Sequence, residues 1–276
     1  MYKLFDTHCH LNFKVFNNQE KEIISEAMAS GVNFFIVPGT DLKTSQKAIK
    51  IAQKYPGVWA AVGIHPHHTW KLKEKGIIRV LRSIEALIKK PKVKAIGEIG
   101  LDKHQYQETK YQQYQISQNF IKAQKILFEK QINLAIHYNK ALIIHNREAS
   151  KEMLAILNNF WNKKLSGKTV FHCCEPKISL LNFALKHKIF IGINGDLTYN
   201  TKKKAFIKKV PLKNLVLETD SPYLTPKPIR NKQYFPNYPK SIVYIAKEIA
   251  SIKKISLAKV ARITTKNACQ LFNIKI

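Results

Sequence analysis

The chain has no run of about eighteen apolar residues, so no membrane-spanning helix is expected among its 276 residues. Its first residues hold no apolar signal core either, because Asp6, His8 and His10 interrupt the stretch. A cytoplasmic location is the expectation. Cysteine is sparse. Cys9, Cys173, Cys174 and Cys269 show no CxxC spacing, and the adjacent Cys173 and Cys174 are poorly placed to bridge each other. All four read as reduced thiols. There is no internal repeat of roughly 20–50 residues, no low-complexity tract and no linker rich in Pro, Gly or Ser. That excludes a repeat array and argues for one domain over residues 1–276.

Acidic side chains are few. The 18 Asp and Glu stand against 47 Lys and Arg, a formal net charge of +29. Such a surplus attracts polyanions, nucleic acid among them. Only 5 of the 47 cations are Arg, however, and the forked guanidinium is what phosphate readers recruit. A composition rich in Lys, Ile and Asn is equally what an AT-rich coding sequence produces. The charge is compatible with a nucleic-acid substrate and does not by itself establish one.

Hydrophobic residues make up 45% of the chain, enough for a large core. They fall into eight short β-branched runs: 3–8, 33–38, 58–64, 93–99, 141–145, 169–173, 189–194 and 215–220. Between them lie helical stretches at 19–30, 43–54, 77–89, 110–139, 149–163, 176–187 and 201–209. Two more follow at 239–252 and 256–272. Strand–helix alternation means parallel strands with crossovers, and eight such units predict a single-domain α/β (β/α)8 TIM-like barrel. The segment 222–239 holds five of the eleven prolines and reads as an ordered loop over the barrel mouth.

In such a barrel the active site lies at the strands' C-terminal ends. The stretch DTHCHL at 6–11 puts His8 and His10 on one face and Cys9 on the other, as strand alternation requires. Two imidazoles side by side suit a divalent ion. The remaining strand ends supply more donors: His65, His67 and His68 after the third, Glu98 and Asp102 at the fourth, and His145 with Arg147 at the fifth. His172 ends the sixth, Asn194 the seventh, and Glu218 and Asp220 the eighth. On the fifth strand Ala141, Ile143 and His145 share a face; so do Val170 and His172 on the sixth, and Val216, Glu218 and Asp220 on the eighth. His8, His10, Glu98, His145, His172 and Asp220 together suffice for two divalent ions, with Glu98 able to bridge. The mixed nitrogen and oxygen set suits Mg, Mn or Zn. Glu218 is expected to orient a ligand histidine or to pair with a buried lysine. Arg147 is expected to hold a phosphate or a structural salt bridge. His65 reads as pocket lining, and Cys173 and Cys174 as packing residues. Trp70, Tyr199, Tyr223 and Tyr234 fall in predicted loops where they could stack bases.

DTHCHL, GIHPH, GEIGLD, LIIHNREA, TVFHC, LETDSPYL and TTKNACQLF follow one another from residue 6 to 272. In kind and order they resemble the TatD family of metal-dependent deoxyribonucleases, within the amidohydrolase-like barrels. The resemblance implies two divalent metals and hydrolysis of DNA phosphodiesters; an exonucleolytic mode on DNA, single strands included, is the expectation, while the sequence leaves exo- versus endonuclease action and DNA versus RNA open. It implies that His8, His10 and Asp220 hold one ion and that His145 and His172 hold the other, with Glu98 bridging. Catalysis is then expected to rest on Asp220 as proton acceptor, on Glu98, and on Arg147. The sequence departs from the family after TVFHC, where Cys174, Glu175 and Pro176 follow, and in the extended loop RNKQYFPNYP. The rival expectations are an ester or amide hydrolase such as a D-aminoacyl-tRNA deacylase, and a non-catalytic nucleic-acid-binding protein. The sequence sets no oligomeric state.

Overall fold

Eight parallel strands alternate with helices in the computed structural model, which describes residues 3–276 except 71, 73, 110, 112 and 233. The strands are β1 (Leu4–Asp6), β2 (Val32–Pro38), β3 (Val58–Val62), β4 (Val93–Asp102), β5 (Ala141–Arg147), β6 (Thr169–Phe171), β7 (Phe190–Ile193) and β8 (Leu215–Leu217). They neighbour one another in sequence order. Backbone hydrogen bonds bring the last strand back to the first: Thr7 N donates to Leu217 O (2.9 Å), Asp220 N to His8 O (2.9 Å) and His10 N to Ser221 O (2.7 Å). The buried Asp6 carboxylate ties the same seam, accepting from the Thr219 hydroxyl (2.6 Å) and backbone N–H (3.0 Å). The architecture is the (β/α)8 barrel expected.

Strand alternation divides the apolar residues between two cores. Phe5, Ile36, Ala61, Ala95, Ala141, Ile143, Val170, Phe190 and Val216 fill the barrel interior. Their neighbours Leu4, Ala60, Val62, Leu142, Ile144, Phe171, Leu215 and Leu217 face outward against the helices. Those helices are α1 (Glu20–Ala29), α2 (Leu42–Lys54), α3 (Glu74–Ile88), α4 (Gln118–His137), α5 (Ser150–Phe160), α6 (Ile178–His187), α7 (Thr201–Lys209), α8 (Lys227–Arg230), α9 (Ile242–Lys253) and α10 (Leu257–Phe272). α10 covers the N-terminal end of the barrel. Its Ala268, Leu271 and Phe272 join the interior core, and Thr265 donates to the Lys3 carbonyl at the start of β1. The C-terminal mouth is left open.

Three expectations need correction. β1, β6 and β8 stop earlier than the apolar runs suggest, so His8, His10, His172 and Asp220 lie just past the strand ends; Cys9 makes a single parallel bridge to Ser221. The helix expected over 110–139 begins only at Gln118, where the Ser117 hydroxyl accepts from Phe120 N–H (3.2 Å). Its upstream part is held as loop by Gln105, whose side chain bonds the Tyr114 carbonyl and the Ile116 N–H; positions 110 and 112 lie outside the described residues. The proline-rich 222–239 segment is mostly loop but contains one helical turn, α8. In α4 two buried glutamines, Gln124 and Gln131, lie two turns apart on one face. Gln124 pairs with both backbone groups of Asp102, and Gln131 with both of Ile64. The Gln-rich helix thus clamps the ends of the two strands it crosses, satisfying backbone groups that no neighbouring strand reaches.

Candidate metal centre

Most residues singled out at the strand ends converge on one buried pocket. His8 Nε2 and His10 Nε2 stand 3.1 Å apart. Glu98 Oε2 lies 3.5 Å from the first and 3.7 Å from the second. Asp220 Oδ1 lies 3.7 and 3.5 Å from the same two nitrogens. Donors about 2.1 Å from a shared ion are separated by about 3.0 Å at right angles and about 3.4 Å at tetrahedral angles. The observed separations fall at or just above these values, so His8, His10 and Glu98 fit one divalent cation, and Asp220 lies within reach of the same two imidazoles. The other Glu98 oxygen, Oε1, faces a different histidine pair: His145 Nδ1 at 2.8 Å and His172 Nε2 at 3.7 Å. One carboxylate addressing two imidazole pairs is the arrangement that bridging requires.

The backbone aims these groups. Ile96 and Ile99 of β4 both face the outer core although three residues apart, and the β4–β5 register shifts between them. Alternation is reset there, which turns Glu98 inward. Gly100 continues the strand at φ +146°, and a Cβ there would fall 1.9 Å from the His145 carbonyl, so the approach of β4 to β5 depends on glycine. Asp220 (φ 54°) and Cys173 (φ 47°) both leave their strands in the left-handed region, swinging their side chains to the axis of the barrel.

A second layer of hydrogen bonds sets the tautomers. His10 Nδ1 faces the Pro38 carbonyl (3.3 Å), which leaves the Nε2 lone pair for the pocket. Asp102 Oδ2 lies 3.0 Å from His145 Nε2 and also accepts from the Tyr106 hydroxyl (2.7 Å), which leaves His145 Nδ1 facing Glu98. His172 Nδ1 lies 3.0 Å from Glu218 Oε2, off the axis of an ideal hydrogen bond. Glu218 is almost fully buried, also accepts from the Cys173 N–H (2.6 Å), and faces His172 rather than a lysine. Gly192 leaves it room, since a Cβ there would sit 2.5 Å from its carboxylate.

Burial and crowding shift the charges. Burial alone would raise Glu98, but His65, His145 and His8 outweigh it and hold the carboxyl well below its usual range. Burial would likewise raise Asp220, yet His172, His10 and His8 bring it below the ordinary value. Burial lowers His145, but Asp102 and Glu98 overcome this and raise it to about 10. His172 rises to about 9 in the same way, against burial, through Glu218 and Asp220. Burial and the neighbouring His172 push His8 down to about 4. The metal-free pocket therefore holds protons on His145 and His172 at neutral pH. A cation bound through those imidazoles must displace them. Loading metal between pH 7 and 8 should release about two protons per chain, with affinity rising as pH rises towards the two pKa values. Calorimetry in buffers of different ionisation enthalpy reads this number directly; release of none would remove His145 and His172 from the ligand set.

The remaining expected residues divide. Arg147 is exposed at the end of β5. Its guanidinium donates to the Tyr106 hydroxyl (3.1 Å), stacks on that ring (5.0 Å), and makes no ion pair among the described residues. Of the two roles expected for Arg147, the structural salt bridge is absent among the described residues. His65 lines the pocket: its Nδ1 accepts from the His67 N–H (3.1 Å), so the proton sits on Nε2, 3.7 Å from Glu98 Oε1. Cys174 packs in the core as expected, whereas Cys173 belongs to the pocket. Its thiol faces Asp220 Oδ2 at 3.7 Å and accepts from the Asn194 amide at 2.7 Å. Trp70 packs against Tyr114 and Phe120, away from a stacking role. Sequence reasoning placed Asp102 among the strand-end donors without a task of its own and did not single out Lys203. Asp102 had a signal, since it ends GEIGLD. Lys203, which is buried and pairs with Asp196 at 2.8 Å, had none among so many lysines. Glu175, where the chain departs from the resemblance, accepts from Asn146 and Ser150 (2.6 Å each) and so braces the turn carrying Arg147.

Residues 5–273 match the family described as TatD related DNase. The chain belongs to this family. The TatD relatives include the "Uncharacterized metal-dependent hydrolase YabD" of Bacillus subtilis, 35% identical over 273 residues, covering 98% of this chain and 99% of the relative. The "3'-5' ssDNA/RNA exonuclease TatD" of Edwardsiella piscicida is 31% identical, covering 98% and 100%. Among solved structures, YjjV, a TatD homologue from Escherichia coli K12, superimposes with a TM-score of 0.84 at 26% identity, covering 99% of this chain and 98% of that one. This TatD chain is a metal-dependent hydrolase, and all but the last of the motifs that carry the family likeness lie at the pocket's end of the barrel; TTKNACQLF lies in α10 at the other end. Among the described residues, no helix is long and apolar enough to cross a membrane.

Proposed function

We propose that this TatD-family hydrolase cleaves phosphodiester bonds of single-stranded nucleic acid, DNA in particular, one nucleotide at a time from an end. The observation that carries the reading is Glu98, whose two oxygens face two separate histidine pairs while Asp220 closes the set. That arrangement supports two divalent ions of the Mg, Mn or Zn kind, the first held by His8, His10, Glu98 and Asp220 and the second by Glu98, His145 and His172. When bound, such ions supply Lewis-acid neutralisation of a phosphoryl group and lower the pKa of water. Relatives named as 3'-5' ssDNA/RNA exonucleases support the substrate class. The four free thiols fit a reducing cytoplasm.

The chain's own residues have distinct tasks in this reading. Asp220 accepts the proton of the attacking water, the oxygen bonds to phosphorus, and the opposite P–O bond breaks. The leaving oxygen takes its proton from solvent. Arg147, free of any carboxylate among the described residues, holds a non-bridging phosphate oxygen through its guanidinium edge. His65 presents an N–H to the same space. Asp102 and Glu218 hold the orientation of His145 and His172.

The deciding experiment takes metal-stripped protein and single-stranded DNA labelled separately at each end, with Mg, Mn or Zn restored in turn. Stepwise shortening that depends on metal is the expected result, and the two labels report the polarity. Intact DNA from a protein shown to bind metal would redirect the assignment to a carbonyl-centred hydrolase such as a tRNA deacylase.

A further inference from the structure

The loop after β8 holds large apolar rings in solvent beside the metal centre. Phe13 stacks face to face on the imidazole of His10 (4.2 Å between centroids, 13° between planes). Tyr223 follows at 6.3 Å from Phe13, nearly perpendicular, and Phe235 lies 6.1 Å beyond Tyr223. Tyr223 is 49% exposed and Phe235 51%. A single exposed ring needs no explanation, but a contiguous row leading away from a ligand histidine does.

The row is held rigidly. The Tyr223 N–H donates to the Asp220 carbonyl (2.8 Å). The buried Asn237 amide donates to the Tyr223 carbonyl (2.8 Å) and the Thr219 carbonyl (3.3 Å). Thr225 fixes the Tyr234 carbonyl (2.6 Å). These bonds tie the backbone of Tyr223 and of Tyr234, the residue before Phe235. Beside them the Arg230 guanidinium lies between the rings of Tyr199 (4.4 Å) and Tyr234 (4.8 Å) and makes no ion pair among the described residues. Residues 221–240 carry Lys227, Arg230, Lys232 and Lys240 and no acid.

We propose that Phe13, Tyr223 and Phe235 form a stacking shelf for an unpaired nucleobase of a single strand, with Arg230 taking the adjoining phosphate. The inference rests on the nucleic-acid reading above and deepens it. Aromatic faces bind any base, so the shelf grips without reading sequence, while a cation beside it follows the backbone. A base already paired and stacked in a duplex cannot lie on it. The shelf therefore selects single strands before the phosphodiester reaches the metals.

The test uses a short oligonucleotide with 2-aminopurine near its end and phosphorothioate linkages that slow hydrolysis, mixed with the metal-loaded protein. Stacking quenches the fluorophore. Wild type should quench the single strand and leave a blunt duplex unchanged. The double variant Tyr223→Ala with Phe235→Ala should lose the quenching and weaken binding by about 10- to 100-fold. Tyr223→Phe alone should keep both, since it retains the ring. Hydrolysis of a small chromogenic phosphodiester by Phe235→Ala alone should match wild type, since Phe235 lies beyond Tyr223 in the row that leads away from His10. Equal quenching by wild type and the double variant would overturn the shelf, as would a wild type that leaves the single strand unquenched. A wild type that quenches the strand but cuts no phosphodiester would leave the shelf standing and remove the nuclease reading instead.

Discussion

Asp220→Asn should reduce turnover of single-stranded DNA by about a thousandfold or more, with the fold intact. Asp220 Oδ1 lies 3.5 Å from both His10 Nε2 and His172 Nε2, and its other oxygen faces the Cys173 thiol. Asparagine matches the shape but accepts no proton and brings no charge. General-base catalysis alone contributes about 10²- to 10⁴-fold, and loss of an anionic ligand adds to it. The backbone geometry that aims the residue is fixed by hydrogen bonds of the main chain, Asp220 N to His8 O and Tyr223 N to Asp220 O, which the substitution leaves alone. Steady-state rates beside a far-ultraviolet circular dichroism spectrum settle the matter. A folded variant with full activity would rule Asp220 out as the proton acceptor.

Glu98→Gln carries the other large effect, because it removes one charge from two histidine pairs at once. The variant should hold at least one fewer divalent ion per chain and lose about a thousandfold or more in rate. It should also change the metal-free protein. His145 has its pKa raised by Asp102 and Glu98 together, to about 10. A raised histidine pKa means stabilisation that is fully present below the ordinary value of 6.5 and is lost as pH rises through about 10. With glutamine at 98 the folded pKa falls, so the stabilisation should be smaller and its loss complete at a lower pH. Metal content by mass spectrometry and melting temperature against pH in chelator, for wild type and variant, read the two consequences separately. A variant that retains the full complement of ions would end the bridging role.

The two cases differ in how legible their residues are. Asp220 sits in LETDSPYL, after an apolar run whose alternation puts Val216 in the barrel interior, and parity carries the argument on to Glu218 and Asp220. His145 and His172 follow from the same count on β5 and β6. Glu98 does not. Simple alternation from Ala95 and Gly97 would turn it outward, and only the register shift between Ile96 and Ile99 reverses that. Arg147 was open to two roles in the sequence, and only the tertiary structure shows it stacked on Tyr106, with no ion pair among the described residues. Cys173 looked like Cys174, yet one thiol faces the pocket and the other the core, because the chain turns left-handed between them.

What the amino-acid order alone determined is the alternation of eight apolar runs with helices and the placing of imidazoles and carboxylates at the runs' ends. Both are local: period-two and period-3.6 patterns act over a few residues, and side chains of these types at the strand ends suit a divalent ion. Tertiary structure alone decided which nitrogen of each histidine faces the centre, since that depends on partners such as Pro38, Asp102 and Glu218, distant along the chain. It also decided that the loop after β8 holds Tyr223 and Phe235 in solvent beside the metal site. Asn237 ties the Tyr223 backbone from fourteen residues along the chain, a contact that no periodicity encodes.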